Sequence, residues 1–252
     1  MIIKCDARQL EWRSYVEWSS DPIGIAEILD NVDVHAINQS VFKLPSRLIA
    51  KIFLFRWIYR GSAWAYANDA DFIETSSSEN FWQTVIDKAN EKYSTLYSFQ
   101  NKLIERVEHG ERISIPTGRE YEFELTAGKY GDWGWNVRDI VNWPNQGYSA
   151  DLMVMARISA RDKLRKLKEY NPNKIKLINT VHDDIQLDVV NDPKVCYNIC
   201  TTMLKVFEDI PKDFKKLYGI SFKVPMAAEV SYGPNLFDLV EFDPSRGVNQ
   251  FL

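Results

Sequence analysis

Two strand-like patterns at opposite ends of the chain each finish on a carboxylate, and any fold must accommodate both. The first is the apolar run Met1-Ile2-Ile3, which reads as a strand delivering Asp6 to its end. The second runs from Ile175 to Val190, where apolar and polar residues alternate on either side of His182-Asp183. That alternation is the pattern of a β-hairpin closed by a two-residue turn, and Asp tolerates the left-handed backbone such turns require. Spacing alone favours an ordinary surface turn whose Asp serves only the backbone. The motifs in between favour Asp6 and Asp183 as the two halves of one metal site.

Composition narrows the class. A chain of 252 residues with 45% hydrophobic and 13% aromatic content can bury a substantial core. No apolar run has the length of a membrane span, and the N-terminus lacks the basic region, apolar stretch and cleavage site of a secretory signal. The expected location is the cytoplasm, with no membrane partner. Cys5, Cys196 and Cys200 form no even framework, which fits a reducing compartment. Cys196 and Cys200, four apart on an expected helix, read as small core residues rather than a metal pair. The net charge of −4 argues in sum against phosphate contacts. A site for divalent cations must gather carboxylates of its own, however, so local distribution decides.

Helical periodicity fills much of the middle of the chain. Thr75-Ser76-Ser77-Ser78 reads as a loop whose last residue caps a helix near Glu79. From there to about Glu108, Phe81, Trp82, Val85, Ile86, Tyr93, Leu96, Leu103, Ile104 and Val107 recur at three- and four-residue steps, giving one long amphipathic helix or a bent pair. A Gly- and aromatic-rich stretch, Gly128 to Trp135, precedes another helix expected from about Gln146 to Lys168. The basic residues Arg157, Arg161, Lys163, Arg165, Lys166 and Lys168 on it are more commonly a solvated face than a phosphate contact.

Pro45-Ser46 is a helix start, and Arg47, Lys51, Phe55 and Tyr59 follow at strict intervals of four. Each such step turns by only about 40°, so two cations and then two aromatics share one face. Exposed cations in the first turns oppose the helix dipole at a cost of about 0.3–1 kcal/mol each, and a docked anion reverses that cost. A nucleoside triphosphate fits the order, phosphates on Arg47 and Lys51, sugar and base on Phe55 and Tyr59. Placing Phe55 and Tyr59 in the core is the plainer alternative, but Ile49, Ile52, Phe53 and Ile58 already offer apolar residues for that purpose.

Taken in order, these motifs resemble the family A, DNA polymerase I-like, DNA polymerases over nearly the whole chain. Asp6-Ala7-Arg8-Gln9-Leu10-Glu11-Trp12-Arg13 is similar to the first catalytic motif, and Asp33-Val34-His35 with the four-step stripe resembles the fingers. Arg138, Asn142-Trp143-Pro144-Asn145-Gln146-Gly147 and Ala150-Asp151 resemble the segment that contacts primer and template. Val181-His182-Asp183-Asp184 resembles the last motif.

The resemblance implies an α+β fold: an antiparallel palm sheet carrying the catalytic carboxylates, with mainly helical fingers inserted, and thumb and exonuclease domains absent. It divides the chain into palm at 1–20, fingers at 21–136 and palm again at 137–252. It implies that Asp6 and Asp183, with the backbone carbonyl of Ala7, bind two magnesium ions. One lowers the pKa of the primer 3′-hydroxyl, while the other steadies the triphosphate and leaving pyrophosphate. Gln9, Glu11, His35, Arg47, Lys51, Phe55 and Tyr59 are the implied nucleotide-binding residues, Glu11 filling the space a ribose 2′-hydroxyl would need. Arg138, Asn142, Gln146 and His182 are the implied contacts to primer-template DNA, through minor-groove acceptors shared by all correct pairs.

Several positions depart from the family. Tyr59-Arg60-Gly61 stands where Tyr-Gly is usual, Arg56 where Gly is frequent, Asp184 where Glu is frequent, and Leu236 where Trp is usual. Only five residues precede the first motif. The expectation is therefore a split, phage-type polymerase whose thumb, with or without an exonuclease, is supplied by a separately encoded chain. Without that partner the palm sheet is expected to have an exposed edge and an unpaired apolar face. The competing readings are a palm-type RNA polymerase or reverse transcriptase, the RNA polymerase disfavoured by Glu11 and His182-Asp183-Asp184, and a non-catalytic replisome scaffold, which would not need the metal carboxylates with Arg47 and Lys51.

Overall fold

A computed structural model of the protein describes residues 1–128 and 132–252. Residues 129–131, in the Gly- and aromatic-rich stretch, lie outside the described residues. The chain opens with β1 (Ile2–Ala7), α1 (Leu10–Ser19), α2 (Pro22–Leu29), α3 (Val34–Phe42), α4 (Arg47–Trp57) and α5 (Ala63–Ala67). It continues with α6 (Glu79–Lys92), α7 (Ser94–Glu108), the short strands β2 (Ile113–Ser114), β3 (Glu120–Tyr121), β4 (Thr126–Ala127) and β5 (Trp133–Gly134), and then α8 (Val137–Leu164). The last part holds β6 (Ile175–Val181), β7 (Asp184–Val189), α9 (Pro193–Glu208), α10 (Ile210–Tyr218), β8 (Ala228–Gly233), β9 (Val240–Glu241) and a 3-10 helix, Pro244–Phe251. These elements form two compact units, residues 1–13 with 148–252 and residues 14–147.

The first unit is built on a five-stranded antiparallel sheet in the order β6-β7-β1-β8-β9. Strand alternation gives it two unlike faces. Ile3, Cys5 and Ala7 of β1, with Ile185 and Leu187 of β7 and Val230 of β8, are buried. Against them α9 sets Cys196, Ile199, Cys200, Met203, Val206 and Phe207, all fully buried. The apolar face is therefore covered by the chain's own helix, contrary to the expectation that it would be unpaired, because the i, i+3, i+4, i+7 spacing in α9 supplies a matching stripe. The edge is exposed as expected: β6 presents Leu177, Ile178 and Val181, and Ile178 falls at a register shift in its ladder with β7.

The second unit is helical. Ser46 and Ser78 cap α4 and α6 by accepting from the amides of Ile49 and Phe81, as their sequence positions predict. The periodic stretch after Glu79 is the bent pair, α6 and α7, broken at Tyr93. Its core is aromatic: Trp82 lies 5.3 Å from Tyr66, 6.2 Å from Phe53 and 5.0 Å from Phe72, ring centre to ring centre. A buried polar cluster ties α2, α3 and α6 together. Lys92 Nζ is 2.7 Å from Glu27 Oε1 and donates to Asn38 Oδ1 at 2.6 Å, while the Tyr93 hydroxyl donates to Glu27 Oε2 at 2.9 Å.

Removing one partner from a buried ion pair leaves an uncompensated charge. Lys92→Met is expected to destabilise the protein by about 3 kcal/mol, whereas the Glu27→Gln/Lys92→Met double variant loses distinctly less. Urea unfolding of the three proteins checks this; equal losses would show that the charges are not coupled.

Candidate active site

The register of three strands concentrates carboxylates at one end of the sheet. Asp6 lies directly opposite Asp184 on β7 and Glu229 on β8. Paired residues project to the same face, so Asp6, Asp184 and Glu229 share the face opposite α9, with Lys4, Gln186 and Ser231 one pair further along. Val181 pairs with Asp184, leaving His182 and Asp183 as the hairpin turn. The left-handed residue of that turn is His182, φ 50°, and not Asp183. The amide of Ala7 donates to the Asp183 carbonyl at 2.8 Å, which fastens the turn to the end of β1 and brings Asp183 beside Asp6.

Electrostatics register that crowding. Burial pushes the Asp183 carboxyl above its ordinary range, and the charges of Asp6 and then Asp184 add to the rise. Crowded, partly buried carboxylates suit a hard divalent cation, which offsets their repulsion and takes oxygen ligands. The residues present fit such an ion. Among the described residues no group of three or more His, Cys, Asp or Glu side chains is placed to hold a metal ion; the expected set is smaller, two carboxylates and the Ala7 carbonyl, leaving positions for water or substrate oxygens. Asp184 is buried and engaged at both oxygens: Oδ2 is 3.3 Å from Lys4 Nζ, and Oδ1 accepts from Gln186 Nε2 at 3.0 Å. Gln9, φ 53°, accepts the first amide bond of α1 from Arg13, and Glu11 follows in the first helical turn, where a carboxylate complements the helix dipole.

A second group of expected residues is assembled within the helical unit. Asp33 caps α3, its Oδ1 accepting from the amides of His35 and Ala36 at 3.1 Å each, and its Oδ2 accepts from Arg47 Nε at 2.6 Å. His35 is buried, and its ring centre is 6.2 Å from that of Phe55. Burial lowers its pKa to about 4, with the charges of Arg47 and Lys51 contributing, so the imidazole is neutral at neutral pH. Its Nδ1 is buried with no hydrogen-bond partner. Arg47 and Lys51 are exposed, and Phe55 is half-buried. The core under α4 is filled instead by Ala50, Phe53, Leu54 and Trp57, with Ile58 just beyond it.

Tyr59 falls beyond the last residue of α4, so the helical face ends one step short of the expected stripe. Its hydroxyl lies 3.5 Å from Asn145 Nδ2, and Asn145 Oδ1 accepts from Ser14 Oγ at 3.1 Å. Asn145 thus positions Tyr59, a role its sequence context left unassigned. Arg138 and Asn142 lie on the same helix as Gln146, because α8 begins at Val137 and continues through Pro144, earlier than the expected Gln146. Steps of four put all three on one helical face; Arg138 and Gln146 are exposed, and Asn142 Oδ1 is buried without a partner. His182 is exposed at the hairpin turn.

The two arginines that depart from the family pattern act as anchors. Arg56 pairs with Asp69 at 2.7 Å and Asp71 at 2.9 Å. Arg60, φ 60°, donates from Nε to Gln100 Oε1 and from Nη2 to Asn101 Oδ1, both at 2.7 Å, and lies 4.2 Å above the Tyr97 ring.

A family model described as DNA polymerase family A matches residues 1–238. The chain is 24% identical over 250 residues to DNA polymerase I of Caldicellulosiruptor bescii, covering 94% of this chain and 27% of that protein. It is 22% identical over 246 residues to DNA polymerase I of Deinococcus radiodurans, covering 94% and 23%. The chain therefore spans about a quarter of the length of the curated relatives it matches. The fold is similar to a solved structure described as the POL domain of Pol1 from M. smegmatis in complex with DNA primer-template and dNTP, with a TM-score of 0.72 and 16% identity over 92% of this chain and 39% of that one.

His35 carries a pH signature. Its folded pKa of about 4 lies below the unfolded value of about 6.5. The stability tied to the neutral ring is thus present above about pH 6.5 and is lost as pH falls towards 4. Wild-type protein is expected to lose more stability than His35→Gln over that window, by an amount on the order of 3 kcal/mol. Parallel urea titrations at pH 7 and pH 4 measure the difference, and parallel losses would contradict a buried neutral His35.

Proposed function

We propose, from the premise that this chain belongs to DNA polymerase family A, that it performs the nucleotide-adding chemistry of a template-directed DNA polymerase. The observation that carries the proposal is the convergence of Asp6 and Asp183 at one end of the sheet, fastened by the Ala7 amide to the Asp183 carbonyl. The sheet-bearing unit serves as the palm and the helical unit as the fingers.

Asp6, Asp183 and the Ala7 carbonyl would hold the two magnesium ions. When bound, those ions neutralise charge on the attacking and leaving oxygens of an in-line phosphoryl transfer. The protein's own groups do the rest. Arg47 and Lys51 hold the triphosphate; Arg47 keeps its Nη donors for phosphate while its Nε rests on Asp33. His35 contributes a neutral ring and therefore a hydrogen bond rather than a charge. Phe55 and Tyr59 pack against sugar and base, Gln9 borders the nucleotide, and Glu11 excludes a ribose 2′-hydroxyl. Arg138, Asn142, Gln146 and His182 contact the primer-template duplex, the ligand named for the similar M. smegmatis structure.

The reading includes a separately encoded chain that grips the duplex behind the site. The exposed edge strand β6, with Leu177, Ile178 and Val181 on it, supports an additional polypeptide there.

Primer extension tests the proposal directly. The protein, co-expressed with a chain that supplies a polymerase thumb, is expected to extend a primer with dNTPs and Mg2+, and Asp6→Asn or Asp183→Asn lowers the rate by roughly a thousandfold while duplex binding persists. A folded complex that leaves the primer unextended, or either variant extending at the wild-type rate, would overturn it. In the same assay Glu11→Ala is expected to weaken discrimination against ribonucleotides by about ten- to a hundredfold; unchanged selectivity would remove Glu11 from the sugar site.

A further inference from the structure

Lys4 is a cation built into the acidic end of the sheet. On the face shared with Asp6, the three central strands contribute Asp6, Asp184, Asp188 and Glu229, and among their described residues Lys4 is the one basic side chain. Its Nζ lies 3.1 Å from Asp6 Oδ2 and 3.3 Å from Asp184 Oδ2. Like charges directly opposite each other on paired strands repel, and Asp6 faces an acidic residue on both sides. A cation two residues back on the same strand, on the same face, is the position from which one side chain can reach both carboxylates of the Asp6–Asp184 pair. Gln186, the cross-strand partner of Lys4, holds the other Asp184 oxygen at 3.0 Å.

We propose that Lys4 is a positioning residue that retains Asp184 as its own counter-ion, so that Asp6 and Asp183 alone are presented to the divalent ions. The inference rests on the metal reading above. Asp184 is 6% exposed and has an engaged partner on each oxygen; releasing one of them frees a third carboxylate beside the pair. Removing the Lys4 charge then raises metal affinity while misplacing the bound ion. Neutralising Asp184 instead leaves the whole ammonium charge on Asp6 and weakens metal binding. The two single changes act in opposite directions, and the double change cancels in charge.

Mn2+ binding, followed by electron paramagnetic resonance without nucleotide, reads this out in the wild type, Lys4→Met, Lys4→Arg, Asp184→Asn and Lys4→Met/Asp184→Asn. Relative to wild type, Lys4→Met is expected to bind Mn2+ about three- to tenfold more tightly, and Asp184→Asn more weakly by a similar factor. Lys4→Arg and the double variant stay near wild type. In primer extension Lys4→Met lowers kcat with little change in the KM for dNTP, and Lys4→Arg restores kcat. A wild type that binds no Mn2+ overturns the metal reading and this inference with it. A wild type that binds, with Lys4→Met indistinguishable from it, overturns the inference alone. A double variant as weak as Asp184→Asn would make Asp184 a metal ligand and equally refute the assignment. Should Lys4→Met fail to fold by thermal melting, the opposite-sign prediction for Asp184→Asn and the neutrality of Lys4→Arg decide the matter.

Discussion

The register of β1 between β7 and β8 is the constraint on which the site depends. Side chains in a sheet have a period of two, so a slip of one residue would send Asp6 to the α9 side and Cys5 to the acidic face. The burial of Ile3, Cys5 and Ala7 against α9 forbids that slip, because the misplaced Asp6 would be an unpaired charge in a core formed by Met203, Ile199 and Phe207. The same apolar contacts that stabilise the unit thus fix the carboxylate in place. The hairpin β6–β7 completes the arrangement, since a two-residue turn at His182 and Asp183 leaves only one position for Asp183 once Val181 has paired with Asp184.

The helical unit solves a different problem, which is how to present cations while burying their neighbours. In α4 the residues between the charged steps carry the core, Phe53 in the aromatic cluster with Tyr66 and Trp82, and Trp57 against Tyr93. Arg47 and Lys51 can stay in water because nothing in the packing requires them elsewhere. Their positive field reaches the buried imidazole of His35 and adds to its preference for the neutral form. A ring held neutral near two cations keeps its hydrogen-bonding capacity without adding to their repulsion.

Much of this was legible in the sequence, and for physical reasons. The Ser46 and Ser78 caps were readable because a hydroxyl before an apolar period satisfies helix-end amides. The β6–β7 hairpin was readable because alternation has one structural meaning when one face is buried. What escaped was set by contacts distant in the chain. The start of α8 at Val137 was hidden by Pro144, which usually interrupts a helix but here sits inside one. The coverage of the sheet's apolar face by α9, the pairing of Asp33 with Arg47, and the support of Tyr59 by Asn145 are tertiary facts with no local period. Lys4 carries no local signal of its contacts, because alternation tells which face a side chain occupies and not which neighbours it meets there.

The charged side chains at the two ends of α4 are held in different ways. Just past its last turn, Arg60 is bolted to Gln100 and Asn101 of α7 and stacked on Tyr97, with Gln100 itself donating to the Ile58 carbonyl at 2.7 Å. At its first turn, the one side-chain ion pair described for Arg47 is the solvent-exposed contact to Asp33, a kind of contact that contributes little. The backbone of α4 is fixed along its length, by the Ser46 cap, the buried Ala50 and Phe53 and the Arg60 anchor, so freedom at its cationic end belongs to the long side chains of Arg47 and Lys51 alone, which can reorient without moving the rings of Phe55 and Tyr59.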